Sequence, residues 1–294
     1  MATPVPGTVS IGILCYNQRD VISEVIESAL RQSRPADEVL VVDDGSDDGS
    51  PAVVSKYAGV RLIVHQRNLG RAAARTTVLE HARCDVVAYL DGDTVAAPDL
   101  LQHLLAAYAD PDVAAVAGVV SETRVDTIWD RWRARNGTRQ DLSRPDADAK
   151  VLFGWGLSCR REIGLRLGGF RPAAEDIDFS YRLYLAGHRL MRTPDARVFH
   201  TRTDDHKSLA GMVYRWSFGG YVAFARNGDR RYGPHLQRMI RRVAGQLRND
   251  LLIEPDVRLA AVTLLMIVPE LRGLVDAPRY LRKGSATWPR IPGL

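Results

Sequence analysis

The chain has 294 residues, of which 46% are hydrophobic and 26% charged, a balance that supports a packed core and excludes disordered and fibrous classes. The formal net charge is +5, a mild excess that suits anionic ligands without selecting one, and no Lys/Arg block interleaved with aromatics points to nucleic acid. The three cysteines, Cys15, Cys84 and Cys159, fit no metal spacing and read as reduced thiols of a cytoplasmic protein.

The N-terminal segment has neither the basic start nor the apolar run of a signal peptide. Val9 to Asn17 is an apolar run ending in polar residues, the pattern of a buried strand followed by a loop. Val21 to Gln32 has apolar residues at helical spacing. Val39 to Val42 is a second strand, ending in the acidic turn "DDGSDDGS". Val60 to Gln66 is a third strand, and a helix follows Gly70. Val86 to Asp91 is a fourth strand. A helix beginning near Pro98 and a strand over 113–120 follow. From Arg124 to Lys150 the pattern loosens into a loop or frayed helix. Ile177, Tyr181, Tyr184 and Leu185 share one helical face, and a last strand ends at His200. Beyond Asp205 the chain reads as basic and helical. Its most apolar run, Leu259 to Val268, is too short to span a bilayer. That run suits a buried helix or one facing a membrane.

Alternating strands and helices imply an α/β fold with a mostly parallel sheet. Right-handed crossovers place the C-terminal ends of its strands on one edge, where ligands bind in such sheets. Asn17, Asp43-Asp44 and Asp91-Gly92-Asp93 therefore converge on one expected site. Asp91 and Asp93 are two apart, so in an extended segment they point the same way, with Gly92 leaving the backbone open between them. Paired carboxylates of this kind repel each other without a cation and suit Mg²⁺ or Mn²⁺, whose remaining ligands come from phosphate and water. Asp-Gly is also ordinary turn chemistry. Asp47 and Asp48 read as turn or capping residues. Arg71 and Arg75 share a helix face and could pair with phosphate or with the acidic strand ends.

Together, Asn17, "VVDDGS", "NLGRAAAR", "YLDGDT", "GGF" and "EDIDFSYRLYLAGHRL" resemble, in order and spacing, the family 2 glycosyltransferases of GT-A fold. The resemblance covers roughly residues 9–200 and implies inverting transfer of a sugar from a nucleotide-sugar with the help of a divalent cation. It implies a catalytic domain over 1–204, with a nucleotide-sugar half (1–123) and an acceptor half (124–204), and a helical extension over 205–294. Asp44 would meet the nucleobase or ribose, Asp91 the ribose or metal, and Asp93 the metal itself. Asp176 would be the general base, beside Glu175. His200 would complete the metal or diphosphate site, with His206 as the weaker candidate. Trp155 and Gly156 would lie in the acceptor loop.

The neighbouring Glu175 would raise the pKa of Asp176 and a helix N-terminus would lower it; the sequence leaves that balance open. Thr76 stands where the family often has Asn, a change expected to alter packing only. The expected donor is UDP-linked, ahead of GDP and dTDP. The expected acceptor is a saccharide, a lipid-linked sugar, a peptide or a small natural product. A soluble enzyme fits, as does one resting peripherally on the inner membrane face through Arg238, Arg241, Arg242 and Arg248. A homo-oligomer fits equally. Two rivals are a sugar-1-phosphate nucleotidyltransferase, whose basic glycine-rich loop residues 11–20 do not supply, and a binding protein without catalysis.

Overall fold

The computed structural model describes residues 7–137 and 149–283. In chain order the elements are β1 (Val9–Cys15), α1 (Ile22–Leu30), β2 (Glu38–Asp43), α2 (Ser50–Val54), β3 (Val60–Val64), α3 (Arg71–His81), β4 (Val86–Asp91), β5 (Thr94–Ala96), α4 (Leu100–Ala106), β6 (Val113–Glu122), α5 (Ile128–Trp132), β7 (Leu157–Arg160), α6 (Arg161–Arg166), α7 (Glu175–Leu185), β8 (Arg189–His200), α8 (His206–Arg226), α9 (Tyr232–Arg248) and α10 (Val257–Lys283). They form two compact units.

The first unit, with described residues 7–123 and 149–201, is built on one sheet of order β3-β2-β1-β4-β7-β6-β8-β5. β3, β2, β1 and β4 run parallel, as do β6 and β8. β7 is antiparallel to both β4 and β6, and β5 is antiparallel to β8. The sheet is therefore mixed at its centre. β7 has only four residues, too few to show a period, so the glycine-punctuated sequence around it conceals a strand. Because β7 reverses direction twice over, β6 and β8 still run the same way as β4. The ends of β1, β2, β4, β6 and β8 thus share one edge.

The pleat of β1 separates two cores. Val9, Ile11, Ile13 and Cys15 pack with Ile22, Val25 and Ile26 of α1 and with Leu100, Leu101 and Leu104 of α4. Leu14 lies on the other face, with Val78 and Leu79 of α3 and Phe179 and Leu183 of α7. Helices cover both faces, which is why these strands are apolar throughout rather than alternating. All three cysteines are buried free thiols. Burial pushes the Cys15 and Cys159 thiols up to about 12, which leaves them unreactive. On α7 the inward face carries Phe179 and Leu183, whereas Tyr184 and Leu185 are exposed. The apolar spacing in the sequence marks the outer face of this helix, because its inner face also buries Asp178 and Arg182 as an ion pair.

The second unit has described residues 124–137 and 202–283. Thr127 and Asp130 form a capping box at the start of α5, and a π-turn over Arg133–Gly137 follows. The expected loop or frayed helix is thus helical over 128–137; its residues 138–148 lie outside the described residues. Asp205 and Ser208 cap α8. Trp132 packs with Leu209, Met212, Val213, Leu259, Val262 and Met266, and its indole N–H donates to Thr263 Oγ1 at 2.8 Å. Buried Arg133 pairs with Asp130 and Asp204. No helix among the described residues is long and apolar enough to cross a membrane.

Replacing Trp132 with Ala is expected to lower the unfolding free energy by about 3–5 kcal/mol. The urea midpoint reads this loss; an unchanged midpoint would contradict the packing described.

Candidate active site

The edge formed by the ends of β1, β2, β4, β6 and β8 holds the acidic residues. Asp91 ends β4, and its Oδ1 accepts a hydrogen bond from Arg75 Nη2 at 3.0 Å. Arg75 lies on α3 and is 1% exposed. Its Nη1 is 3.8 Å from Glu175 Oε1, and the guanidinium carbon stands about 6 Å from the Tyr89 and Phe170 rings. Arg71, one turn earlier, places Nε 3.3 Å from the same Glu175 oxygen, its own side chain largely exposed. A Cβ on Gly154 would lie 2.4 Å from Arg75 Nη2, so only glycine lets the 153–156 loop approach this cation. The Gly154 N–H donates to Asp176 Oδ2 at 2.7 Å. One guanidinium thus gathers Asp91 and Glu175, while the loop lying against it binds Asp176.

Burial opposes ionisation of Asp91, but Arg75 and then Arg71 outweigh it and hold the carboxyl below its usual 3.8. Burial and then Glu175 act the other way on Asp176, whose pKa is raised against the pull of Arg75 and Arg71. The balance left open by the sequence therefore falls on the raised side. The two residues before α7 are held in the left-handed region, Ala173 at φ 74° and Ala174 at φ 49°. Alanine adopts this region only at a cost of about 1–3 kcal/mol, so the fold imposes the angle at which Glu175 and Asp176 enter the site.

The ends of β1 and β2 are joined by Asn17, itself at φ 52°. Its N–H donates to Ser46 Oγ, and its side-chain oxygen accepts from the Asp47 N–H. Asp43 is fully buried and accepts from the Ser46 N–H and hydroxyl. Asp44 accepts from the Leu69 and Gly70 N–H groups at 2.9 and 2.7 Å, and its Oδ1 lies 2.7 Å from His65 Nδ1. It ties the end of β2 to the loop that begins α3. Gly92 has a packing reason beyond an open backbone: a Cβ there would lie 2.6 Å from the Leu14 carbonyl oxygen.

Asp93 sits between β4 and β5, and its carbonyl accepts from the Thr201 N–H at 3.0 Å. His200 pairs in register with Thr94. It is buried, and its Nδ1 lies 2.9 Å from Glu122 Oε1 at the end of β6. Glu122 was absent from the sequence reading, although it too is an acid closing an apolar run. Half-buried Trp155 sets its ring edge-on to His200, 6.3 Å between centroids. Gly156 follows at φ 57°. His206 opens α8 in the second unit, beside Trp129. The Thr76 hydroxyl binds the Ala72 carbonyl and the Phe170 N–H, the packing role expected of it.

Among the described residues no three His, Cys, Asp or Glu side chains form a ready metal cage. The donor set suits a different arrangement, in which Mg²⁺ or Mn²⁺ takes one or two carboxylates and completes its sphere with phosphate and water. Glu122 at Nδ1 of His200 fixes the orientation of the imidazole, the arrangement a carboxylate gives a histidine in many metal sites.

The family model for glycosyl transferase family 2 matches residues 10–166. A pre-mycofactocin glycosyltransferase of Mycobacterium tuberculosis is 32% identical over 194 residues, covering 62% of this chain and 40% of its own. The chain therefore spans well under half the length of that relative. A glucosyl-dolichyl phosphate glucuronosyltransferase of Haloferax volcanii is 25% identical over 239 residues, covering 72% of this chain and 75% of its own. The mannosyltransferase PcManGT of Pyrobaculum calidifontis, solved with GDP-Man and Mn²⁺, shares the fold with a TM-score of 0.63 and 24% identity, covering 97% of this chain and 81% of that one. S. aureus TarS 1-349, solved with UDP-GlcNAc, shares it with a TM-score of 0.58 and 15% identity, covering 97% and 95%.

Arg75→Met removes the cation from partly buried Asp91 and buried Glu175 and is expected to cost about 3–5 kcal/mol at pH 7. In the native chain the folded pKa of Asp91 is lowered, so its stabilisation is present above 3.8 and is lost as pH falls through the folded value. The variant leaves Asp91 costly only while ionised. Its deficit in urea unfolding should therefore shrink between pH 7 and pH 4; an equal deficit at both would contradict the pairing.

Proposed function

The chain belongs to glycosyltransferase family 2, and from that premise we propose that it moves a sugar from a nucleoside-diphosphate sugar, UDP-linked in the first instance, to an acceptor hydroxyl with inversion. The observation that carries the reading is the grouping of Asp91, Glu175 and Asp176 around Arg75 and Gly154, at the sheet edge where β4 and β8 also bring Asp93 and His200.

In this reading Asp176 is the base. Burial and then Glu175 raise its pKa, which makes it a better proton acceptor. It takes the acceptor hydroxyl proton as the oxygen attacks the anomeric carbon, and the bond to the diphosphate breaks with its electron pair on the departing oxygen. Glu175 keeps the pKa of Asp176 raised while Arg71 and Arg75 neutralise its own charge. Asp93, with Asp91 and His200 close by, would hold Mn²⁺ or Mg²⁺, which supplies charge neutralisation on the leaving diphosphate. Asn17, Asp43 and Asp44 shape the nucleotide side, with Arg71 at its mouth and Gly92 keeping β4 close to β1. Trp155 and Gly156 form the acceptor wall. The acceptor classes are a saccharide, a lipid-linked sugar, a peptide or a small natural product; the relatives' names give pre-mycofactocin and glucosyl-dolichyl phosphate. In this reading catalysis belongs to residues 1–204, apart from 124–137, which pack in the second unit, and the helices α8, α9 and α10 are accessory.

The test is release of nucleoside diphosphate from a panel of nucleotide-sugars in the presence of candidate acceptors. Asp176→Asn should lower kcat by about 100- to 10,000-fold while nucleotide binding is retained. In Glu175→Gln the like charge is gone, so the acid limb of kcat/KM should move to lower pH. Undiminished turnover in Asp176→Asn would remove it as the base.

A further inference from the structure

Helix α10 is amphipathic in an unusual sense, because both its faces are apolar. Leu259, Val262, Met266, Leu274 and Ala277 are buried. On the opposite face Val257 is 72% exposed, Leu264 55%, Leu265 58%, Val268 70% and Val275 46%. At about 100° per residue these five fall within an arc of about 100°, a stripe about 27 Å long. Leu251, Leu252 and Ile253, in the π-turn that precedes the helix, are also exposed, Leu252 at 75%. A soluble helix ordinarily turns charged residues outward, and a contiguous apolar surface of this size marks a contact.

The charge around the stripe is predominantly basic, and the acids at its N-terminal end, Glu254 and Asp256, are paired with Arg135 and Arg258. Arg258, Arg272 and Arg279 on α10 are exposed. The two acids of the helix are both engaged: buried Glu270 by Arg242 of α9, and Asp276 by Arg272, Arg279 and the Tyr214 hydroxyl. Helix α9 adds exposed Arg238, Arg241 and Arg248 and contains no Asp or Glu. Arg242, expected from the sequence to belong to this basic face, is instead half-buried against Glu270. An apolar stripe interrupted by Arg272 and flanked by Arg258 and Arg279, on a helix that cannot span a bilayer, has the pattern of a helix lying in the headgroup plane of an anionic membrane.

We propose that the α10 stripe from Leu252 to Val275 is a docking surface for an anionic lipid bilayer, with the apolar residues inserted and the arginines against the headgroups. The arginines of α9 act as an auxiliary to this contact, and the stripe is its centre. The proposal is independent of the transferase reading, since it concerns binding to lipid alone.

Flotation of the full chain with vesicles tests it. Vesicles of phosphatidylcholine with about a third phosphatidylglycerol should carry the protein; pure phosphatidylcholine should carry much less. Leu264→Asp with Val268→Asp should reduce binding at least tenfold with an unchanged circular dichroism spectrum, since both side chains are exposed. Arg272→Gln and Arg279→Gln should each weaken binding by about fivefold, equivalent to about 1 kcal/mol per basic residue. Absence of native protein from the anionic vesicle fraction would overturn the proposal. So would a lipid-free dimer, seen by light scattering, that the double Asp variant dissociates; the stripe would then be a contact between copies. Should the double variant misfold, Leu252→Asp, in the turn before the helix, makes the same comparison.

Discussion

One buried guanidinium organises the acidic edge of this sheet. Arg75 projects from α3 between two aromatic rings and meets Asp91 from β4 and Glu175 from α7, while the Gly154 backbone closes over it. Without that cation, buried carboxylates from two separate segments would repel each other and shed their charge. With it, Asp91 stays ionised and Glu175 is held in place. Asp176 is bound through its other partner, the Gly154 N–H, and is left with a raised pKa. Adjacent residues in the chain, Glu175 and Asp176, thereby receive different environments.

Much of this edge was legible because strand ends are legible. The apolar runs ending at Cys15, Asp43 and Asp91 are strands, and right-handed crossovers bring their ends together. What the strands deliver could not be read. Asp91 reads as half of a cation-seeking pair, and it meets Arg75, one of the two arginines that could pair with the acidic strand ends. Spacing along the chain does not say which of the two reaches across from the helix, nor whether its partner is phosphate or carboxylate. Asp44 looked open to a ligand, yet it accepts two backbone N–H bonds from the loop before α3 and lies against His65. Asn17 and Ser46 likewise bind each other's loops. The loops after β1 and β2 are thus held together by their own polar groups.

The features that escaped the sequence share a physical cause. β7 is four residues long, too short to show a period, and Glu122 closes an apolar strand as Asp91 does but without a second acid beside it to draw notice. On α7 and α10 the apolar pattern misleads for opposite reasons. α7 buries an ion pair on its inner face, so its outer face carries much of the apolar signal. α10 is apolar on both faces, so its ten-residue run from Leu259 to Val268 is core on one face and exposed on the other. Periodicity reports where apolar residues are, and only packing tells which of them face inward.

The central claim is that the acidic edge organised by Arg75 receives a nucleoside diphosphate together with a divalent cation. The most direct measurement is thermal stability against UDP, GDP, dTDP and CDP, each with and without Mn²⁺, in the native chain and in Asp93→Asn. A ligand present at a hundred times its Kd should stabilise the fold by about 2.7 kcal/mol. The account predicts a shift with one nucleotide that requires Mn²⁺ and is lost in Asp93→Asn. No shift with any diphosphate, or a shift that is indifferent to both Mn²⁺ and Asp93, would contradict it.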